Sequence, residues 1–426
     1  MSTAAVVRPQ RTAIYDGLRG IAIVLVILSH GWTLWPTDGI DSNPVTKTLF
    51  ESGNFAVSIF FVVGFFLATR SLLRRVENGQ GVSPPVLVAR RYVRIGGQLA
   101  FAMVVLTVIT AMDDSDPYGK TETRNSIIRI MTFTWNQYLQ TRAIVARPDL
   151  GHLWYLSVDF QIFILVVVLV WLLRRHRAWL VVTLAGILVA CFMWRAHIYG
   201  TEGIYQALLR TTVRMDAPVI GALAAAAMPY LGFLRRQADW IAVASCVALV
   251  PLAHLASPDH AYFGLPGVGV SVALALFMVS TSLAQPPAVL VKALSWRLIA
   301  LLGERSLSLY IWHYPLFWYV SRHSEGWSTF ERTVGGILLT LLASVVSEYL
   351  VERRVQKVLA HPGWRDFDDG IFAWAARRTR GQGKKGGGRR AAAPATSART
   401  NPPTNAPTGP VADDDTSGTG RGSHRA

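Results

Sequence analysis

The sequence predicts an all-α membrane protein that crosses the bilayer about ten times, and three observations predict it. Of the 426 residues, 51% are hydrophobic, and the mean hydropathy is +0.33. Apolar runs of about 18 to 22 residues, each able to cross a ~30 Å hydrocarbon core as a helix, recur along most of the chain. Lys and Arg gather in alternate short loops, the pattern of cytoplasmic faces.

The first span, Ile14–Trp35, holds Arg19 and His30 eleven residues apart. At ~100° per residue this interval returns to the same helix face, ~16 Å further along the axis. Ionisable groups inside a membrane segment must face the bundle interior or a wet cavity, which marks the pair as functional. The competing reading is an Arg that snorkels to the headgroups and a His bonded to a neighbouring helix. Spans two and three, Phe55–Leu73 and Gly96–Met112, enclose a basic loop with Arg74, Arg75, Arg90, Arg91 and Arg94. The stretch from Asp113 to Leu150 reads as a long loop. Span four, Leu153–Leu173, opens on Trp154 and Tyr155, which either stack on a ligand or join the interfacial aromatic belt. It also holds Asp159, a carboxylate that needs a partner. Spans five and six are Trp179–Trp194 and Ala207–Met228, and Arg214 and Asp216 in the sixth pose the same question. Trp240–Ala256 and Pro266–Ala284 follow. In the ninth, Ser306–Arg322, His313 sits among Tyr310, Trp312 and Tyr314 before Pro315, an aromatic belt on a kinked helix and a second-rank site. Val334–Val351 closes the set.

With alternating spans, the Arg-rich loops fall on one side together with both termini, which predicts a multi-pass protein of the inner or plasma membrane with cytoplasmic ends. Residues 1–11 form the leading cytoplasmic segment, 12–358 the membrane domain and 359–376 a juxtamembrane segment. From Arg377 to Ala426 the chain is Gly, Pro, Ser, Thr, Ala and charge; it lacks the apolar residues to fold and reads as a disordered cytoplasmic tail. The first thirty residues have no secretory cleavage pattern, so span one is expected to remain in the mature protein. Cys191 and Cys246 lie in apolar spans as small packing residues, and no Cys/His spacing suggests a metal. The net charge of +16 is spread over loops and tail, which favours anionic lipid headgroups over nucleic acid.

Six strings in order resemble the integral-membrane acyltransferase 3 family over residues 12–358. They are Tyr15-Asp-Gly-Leu-Arg-Gly with His30, Ala56-Val-Ser-Ile-Phe-Phe-Val-Val63, Arg91-Tyr-Val-Arg-Ile95, His152-Leu-Trp-Tyr-Leu-Ser-Val-Asp159, Leu302-Gly-Glu-Arg-Ser-Leu-Ser-Leu-Tyr-Ile-Trp-His-Tyr-Pro315 and Val351-Glu-Arg353. The chain departs from the family at Gly64-Phe65-Phe66, where Ser-Gly-Phe is usual, at Asp159 in place of Glu, at Gly97 in place of Pro, and at Glu352-Arg353-Arg354 in place of Glu-x-Pro.

The resemblance implies an O-acyltransferase with acyl-CoA, above all acetyl-CoA, as co-substrate and no bound cofactor. The acceptor is a hydroxyl of an extracytoplasmic or membrane-embedded glycan, glycolipid or related molecule. Arg90, Arg91 and Arg94 then supply guanidinium forks for the donor phosphates, with simple positive-inside anchoring as the other reading. His30 acts as general base or as acyl-accepting nucleophile. Arg19, held by Asp16, binds the donor or forms an interfacial ion pair with it. A proton-coupled transporter or flippase is the alternative, because intramembrane Arg, His and Asp also build relays; the paired sequence halves of such a protein are not visible here.

Overall fold

A computed structural model describes residues 10–257, 259–361 and 364. Residues 1–9 of the expected leading segment 1–11, most of 359–376 and all of 377–426 lie outside the described residues, as does the tail reading. The described part is helical and contains no strand. Its main helices are α1 (Gln10–Leu34), α2 (Gly53–Glu77), α3 (Pro84–Ala111), α4 (Lys120–Met131), α5 (Trp135–Arg142), α6 (Trp154–Leu173), α7 (Arg177–Leu209), α8 (Asp216–Ala227), α9 (Ala238–Ala256), α10 (Leu265–Leu283), α11 (Arg297–Glu304), α12 (Ser306–His323), α13 (Thr329–Ser347) and α14 (Arg353–Ala360).

Among the described residues, eight helices are long and apolar enough to cross a membrane. The two other expected spans are helical in a different way. The sixth is interrupted at Arg210, whose ψ of 122° ends the preceding helix, and continues as the short helix Thr211–Arg214 and the 12-residue α8. The ninth is the 18-residue α12, whose Tyr, Trp, His and Ser side chains lower its hydropathy. Two-thirds of the apolar windows of α2 and α10 are buried, against about a fifth for α7, α9 and α13. The former are therefore central. The latter turn Trp179, Val189, Val247, Leu338 and Leu342 outward, a surface suited to lipid tails.

The stretch read as a long loop is a folded helical hairpin. Asp113 accepts from Arg322 at 3.2 Å and contacts His323 at 3.1 Å, anchoring its start to the end of α12. From there α4 runs back along α3, far enough for Tyr92 to donate to the Met131 carbonyl at 3.3 Å. Phe133 turns the chain with φ 54°, a left-handed conformation that costs a residue with a Cβ about 1 kcal/mol; its ring stacks on Phe160 at 4.1 Å. Buried Arg147 closes the excursion with bonds to Asp116 and Asp149, both 2.8 Å. Paired on both sides, its guanidinium holds its proton more tightly than usual despite burial, which by itself favours the neutral form.

Two glycines of the opening motif set the position of α1. A Cβ on Gly17 would collide with the Leu294 carbonyl and one on Gly20 with the Ile299 carbonyl. From the other side, a Cβ on Gly303 would collide with the Asp16 carbonyl. The backbones of α1 and α11 therefore touch, and this fixes the rotation of the helix that carries Arg19 and His30.

Candidate active site

Three histidines from distant parts of the chain meet inside the bundle. His30 comes from α1, His313 from α12, and His152 from the 3-10 turn Pro148–Leu153 that leads into α6. His30 Nδ1 lies 2.7 Å from His313 Nε2, with the two rings stacked at 5.0 Å. His152 stands edge-on to both, at centroid distances of 6.1 and 5.0 Å. Tyr314 covers His30 at 4.6 Å. His313 and His152 are buried, 0% and 3% exposed, and His30 is half-buried.

Hydrogen-bond partners determine which nitrogens carry protons. His313 Nδ1 faces the carbonyls of Leu309 (3.2 Å) and Tyr310 (2.9 Å), which only accept, so in the neutral ring this nitrogen bears the hydrogen. His313 Nε2 is then an acceptor. It takes the Nδ1 hydrogen of His30, and the lone pair of His30 is left on Nε2. His152 Nε2 donates to the same Tyr310 carbonyl at 2.9 Å, and the Tyr310 hydroxyl donates back to the His152 carbonyl. His152 Nδ1 has no hydrogen-bond partner among the described residues.

On the α3 side of this cluster lies a cavity of about 530 Å³ lined by Arg19, Arg90, Arg91, Arg94, Asp159 and Leu359. Tyr155 and Tyr310 also line it, with ring centroids 5.4 Å apart, and Tyr310 in turn touches His152 (5.1 Å) and His313 (5.7 Å). One layer of tyrosine rings thus separates the cationic cavity from the histidines. Arg19 donates to Ser306 at 2.8 Å and pairs with Asp16 at 3.7 Å. Arg91 pairs with Asp159 at 2.5 Å and stacks on Phe163 at 4.2 Å. Arg90 donates to the Leu359 carbonyl at 3.0 Å and lies over Trp364 at 5.8 Å. Arg94 is exposed and has no partner among the described residues.

The fold brings Arg19, Arg90, Arg91, Arg94, Tyr155 and Asp159 around this one cavity, pairs Asp16 with Arg19, and sets His30 against His313. Trp154, Arg214 and Asp216 are elsewhere. Trp154 lies over Arg214 at 5.3 Å, while Asp216 pairs with Arg195 from α7. Sequence reasoning missed His152, Ser306 and Arg195 as site residues. His152 stands two positions before Trp154 in a string already singled out, but its partners belong to α1 and α12, and no local periodicity reports that. Among the described residues no group of three or more His, Cys, Asp or Glu side chains is arranged to hold a metal ion.

The acyltransferase domain model of the Acyl_transf_3 family matches residues 13–349. The O-acetyltransferase OatA of Staphylococcus aureus strain NCTC 8325 is 22% identical over 358 residues, which cover 80% of this chain and 57% of that protein. A putative O-acetyltransferase of Staphylococcus aureus strain COL is also 22% identical, over 361 residues with the same coverage. The chain thus matches a little over half the length of these curated relatives. No solved structure matches it.

Proposed function

The chain belongs to the acyltransferase family whose domain model spans residues 13–349, and on that premise we propose that it moves an acyl group, acetyl foremost, from cytoplasmic acyl-CoA to a hydroxyl of an extracytoplasmic or membrane-embedded glycan or glycolipid. The observation that carries this reading is the bond between His30 Nδ1 and His313 Nε2 at 2.7 Å, which leaves a basic nitrogen on His30, whose ring Tyr314 covers.

The cationic cavity is the donor site. A CoA head is polyanionic, and guanidinium groups grip phosphate in bidentate fashion. Arg94 is free to do so, Arg90 can exchange a neutral carbonyl for a phosphate, and Arg19 is held in place by Asp16 and Ser306. Arg91 is already neutralised by Asp159, so it shapes the wall more than it grips the donor. The pantetheine arm extends toward Tyr155 and Tyr310 and brings the thioester to the histidines.

The chemical step balances with the residues present. The acceptor oxygen attacks the thioester carbonyl carbon while its proton passes to His30 Nε2. The tetrahedral intermediate collapses, the carbon–sulfur bond breaks, and the departing thiolate takes the proton back from His30. An ester and a free CoA thiol result. During the step His30 is an imidazolium, and the lone pair of His313 Nε2 stabilises it by accepting the Nδ1 hydrogen, as the orienting member of a catalytic triad does.

Incubating purified full-length protein with radiolabelled acetyl-CoA, and comparing the lipids and glycans of the source organism with those of a deletion strain, tests the reading. Label incorporated by the parent but not by His30→Ala, and an ester missing from the deletion strain, are expected. No incorporation, together with unchanged lipids and glycans, would count against acyl transfer.

A further inference from the structure

The three-residue cluster of Arg195, Asp216 and Arg214 contains two buried cations and one carboxylate. Arg195 is fully served: one nitrogen pairs with Asp216, one donates to the Tyr262 carbonyl, and Nε donates to the Phe263 carbonyl at 3.0 Å. Arg214 is 1% exposed, and none of its three nitrogens has a hydrogen-bond partner among the described residues. What surrounds its guanidinium is a box of rings, Tyr262 at 4.9 Å, Trp154 at 5.3 Å and Phe263 at 5.7 Å. Ring faces attract a cation but accept none of its five N–H bonds. The nearby Asp216 carboxylate is engaged with Arg195 through one oxygen while its Oδ1 has no hydrogen-bond partner among the described residues, so the Arg214 donors stay without an acceptor.

The box is rigid. Tyr262 is tied through its hydroxyl to Ser58 at 2.7 Å, and Asp259 in the same turn accepts from Asn54 at 2.6 Å. Trp154 is two residues from His152, so the box adjoins the histidine cluster through one short turn.

We propose that Arg214 is an oxyanion-binding subsite for the acceptor, which makes the acceptor an acidic glycan or glycolipid bearing a carboxylate or a phosphate near the hydroxyl to be acylated. The naming of the acceptor class rests on the acyltransferase reading; the oxyanion site itself does not. A planar fork with free donors fits either group, and the aromatic walls exclude water and suit the apolar face of a sugar ring.

The test uses full-length protein in a nonionic detergent, with hexyl glucuronide, hexyl phosphate and the neutral hexyl glucoside as probes, measured by calorimetry and thermal unfolding. The parent is expected to bind at least one acidic probe about tenfold or more tightly than the neutral one, the size of one charge-assisted contact. Which acidic probe binds identifies carboxylate or phosphate as the natural group. Arg214→Met is expected to abolish the preference, to keep the parent's affinity for acetyl-CoA, and to unfold no lower than the parent without probe, because it replaces an unpaired buried charge with an apolar chain. A parent without preference, which needs no variant to fold, overturns the proposal, as does an Arg214→Met or Arg214→Gln protein that keeps the preference. An Arg214→Met protein that unfolds well below the parent and responds to no probe differently from it also overturns it and makes Arg214 a packing residue. If acyl transfer is never seen while the parent still selects an acidic probe through Arg214, the acyltransferase reading falls and the oxyanion site stands.

Discussion

His30 and His313 lie 283 residues apart in sequence and 2.7 Å apart in space, and the direction of the hydrogen bond between them is fixed by the backbone of α12. Because the Leu309 and Tyr310 carbonyls hold the Nδ1 hydrogen of His313, His30 can only donate from Nδ1 and only accept at Nε2. A helix turn on one side of the site thus dictates which nitrogen of a residue on another helix is basic.

Replacing His30 with Ala or Gln removes that nitrogen. Acyl transfer is expected to fall by about 10² to 10⁴, the usual contribution of a general base, with acetyl-CoA affinity nearly unchanged. Transfer rates and donor affinity measured on the same preparation check this. A His30→Gln protein that turns over at the parental rate would make His30 a packing residue.

His313→Phe keeps an aromatic ring in the stack and removes the acceptor. Transfer should drop by about tenfold, the worth of one buried hydrogen bond, because His30 is then free to place its hydrogen on either nitrogen. The rate-against-pH profile should also move, which loss of packing alone would not cause.

Arg91 and Arg94 share a helix face and should respond differently. Arg94→Ala loses a charge-assisted phosphate contact worth about 1.5 to 3 kcal/mol, or one to two decades of acetyl-CoA affinity, in a protein of normal stability. Arg91→Ala instead strands Asp159, which is 5% exposed, without its partner. A stability loss of about 3 kcal/mol or more is expected and should be largely recovered in the Arg91→Ala/Asp159→Asn double variant. Calorimetry and thermal unfolding of the four proteins separate donor binding from support.

Gly20→Ala puts a methyl group against the Ile299 carbonyl. Backbone cannot move aside as a flexible side chain does, so α1 must separate from α11 at a cost of about 1 to 3 kcal/mol. Lower folded yield and reduced thermal stability should accompany weakened transfer, since Arg19 and His30 ride on the displaced helix. A parental melting temperature would mean the two helices do not pack backbone to backbone.

Topology is checked by reporter insertion after Asp114 and fusion after the tail. The loop at Asp113–Asp116 is expected outside and the tail inside the cytoplasm, placing the Arg94 end of the cavity toward cytoplasmic acyl-CoA. Reporters found on the same side would reverse the route proposed for the donor.

The sequence by itself determined that the chain is helical, membrane-embedded and related to acyltransferases. Apolar runs, their 3.6-residue faces and the Arg-rich loops are local properties, and a bilayer leaves a hydrophobic backbone few alternatives to a helix. The interval between Arg19 and His30 is local too, because both belong to one helix. The tertiary structure alone decided which faces meet. It set His313 and His152 against His30, gave Asp159 to Arg91 and Asp216 to Arg195, left Arg214 boxed by rings, and folded the Asp113–Leu150 stretch into a hairpin. Helix period gives each side chain an azimuth on its own helix but says nothing of the rotation and depth of its neighbours, which depend on close contacts such as the one between Gly20 and Ile299. The interruption at Arg210 escaped for a related reason: it holds together because neighbouring elements satisfy groups that an isolated span would have to expose to lipid, as Asn136 and Gln140 do for the Leu209 carbonyl.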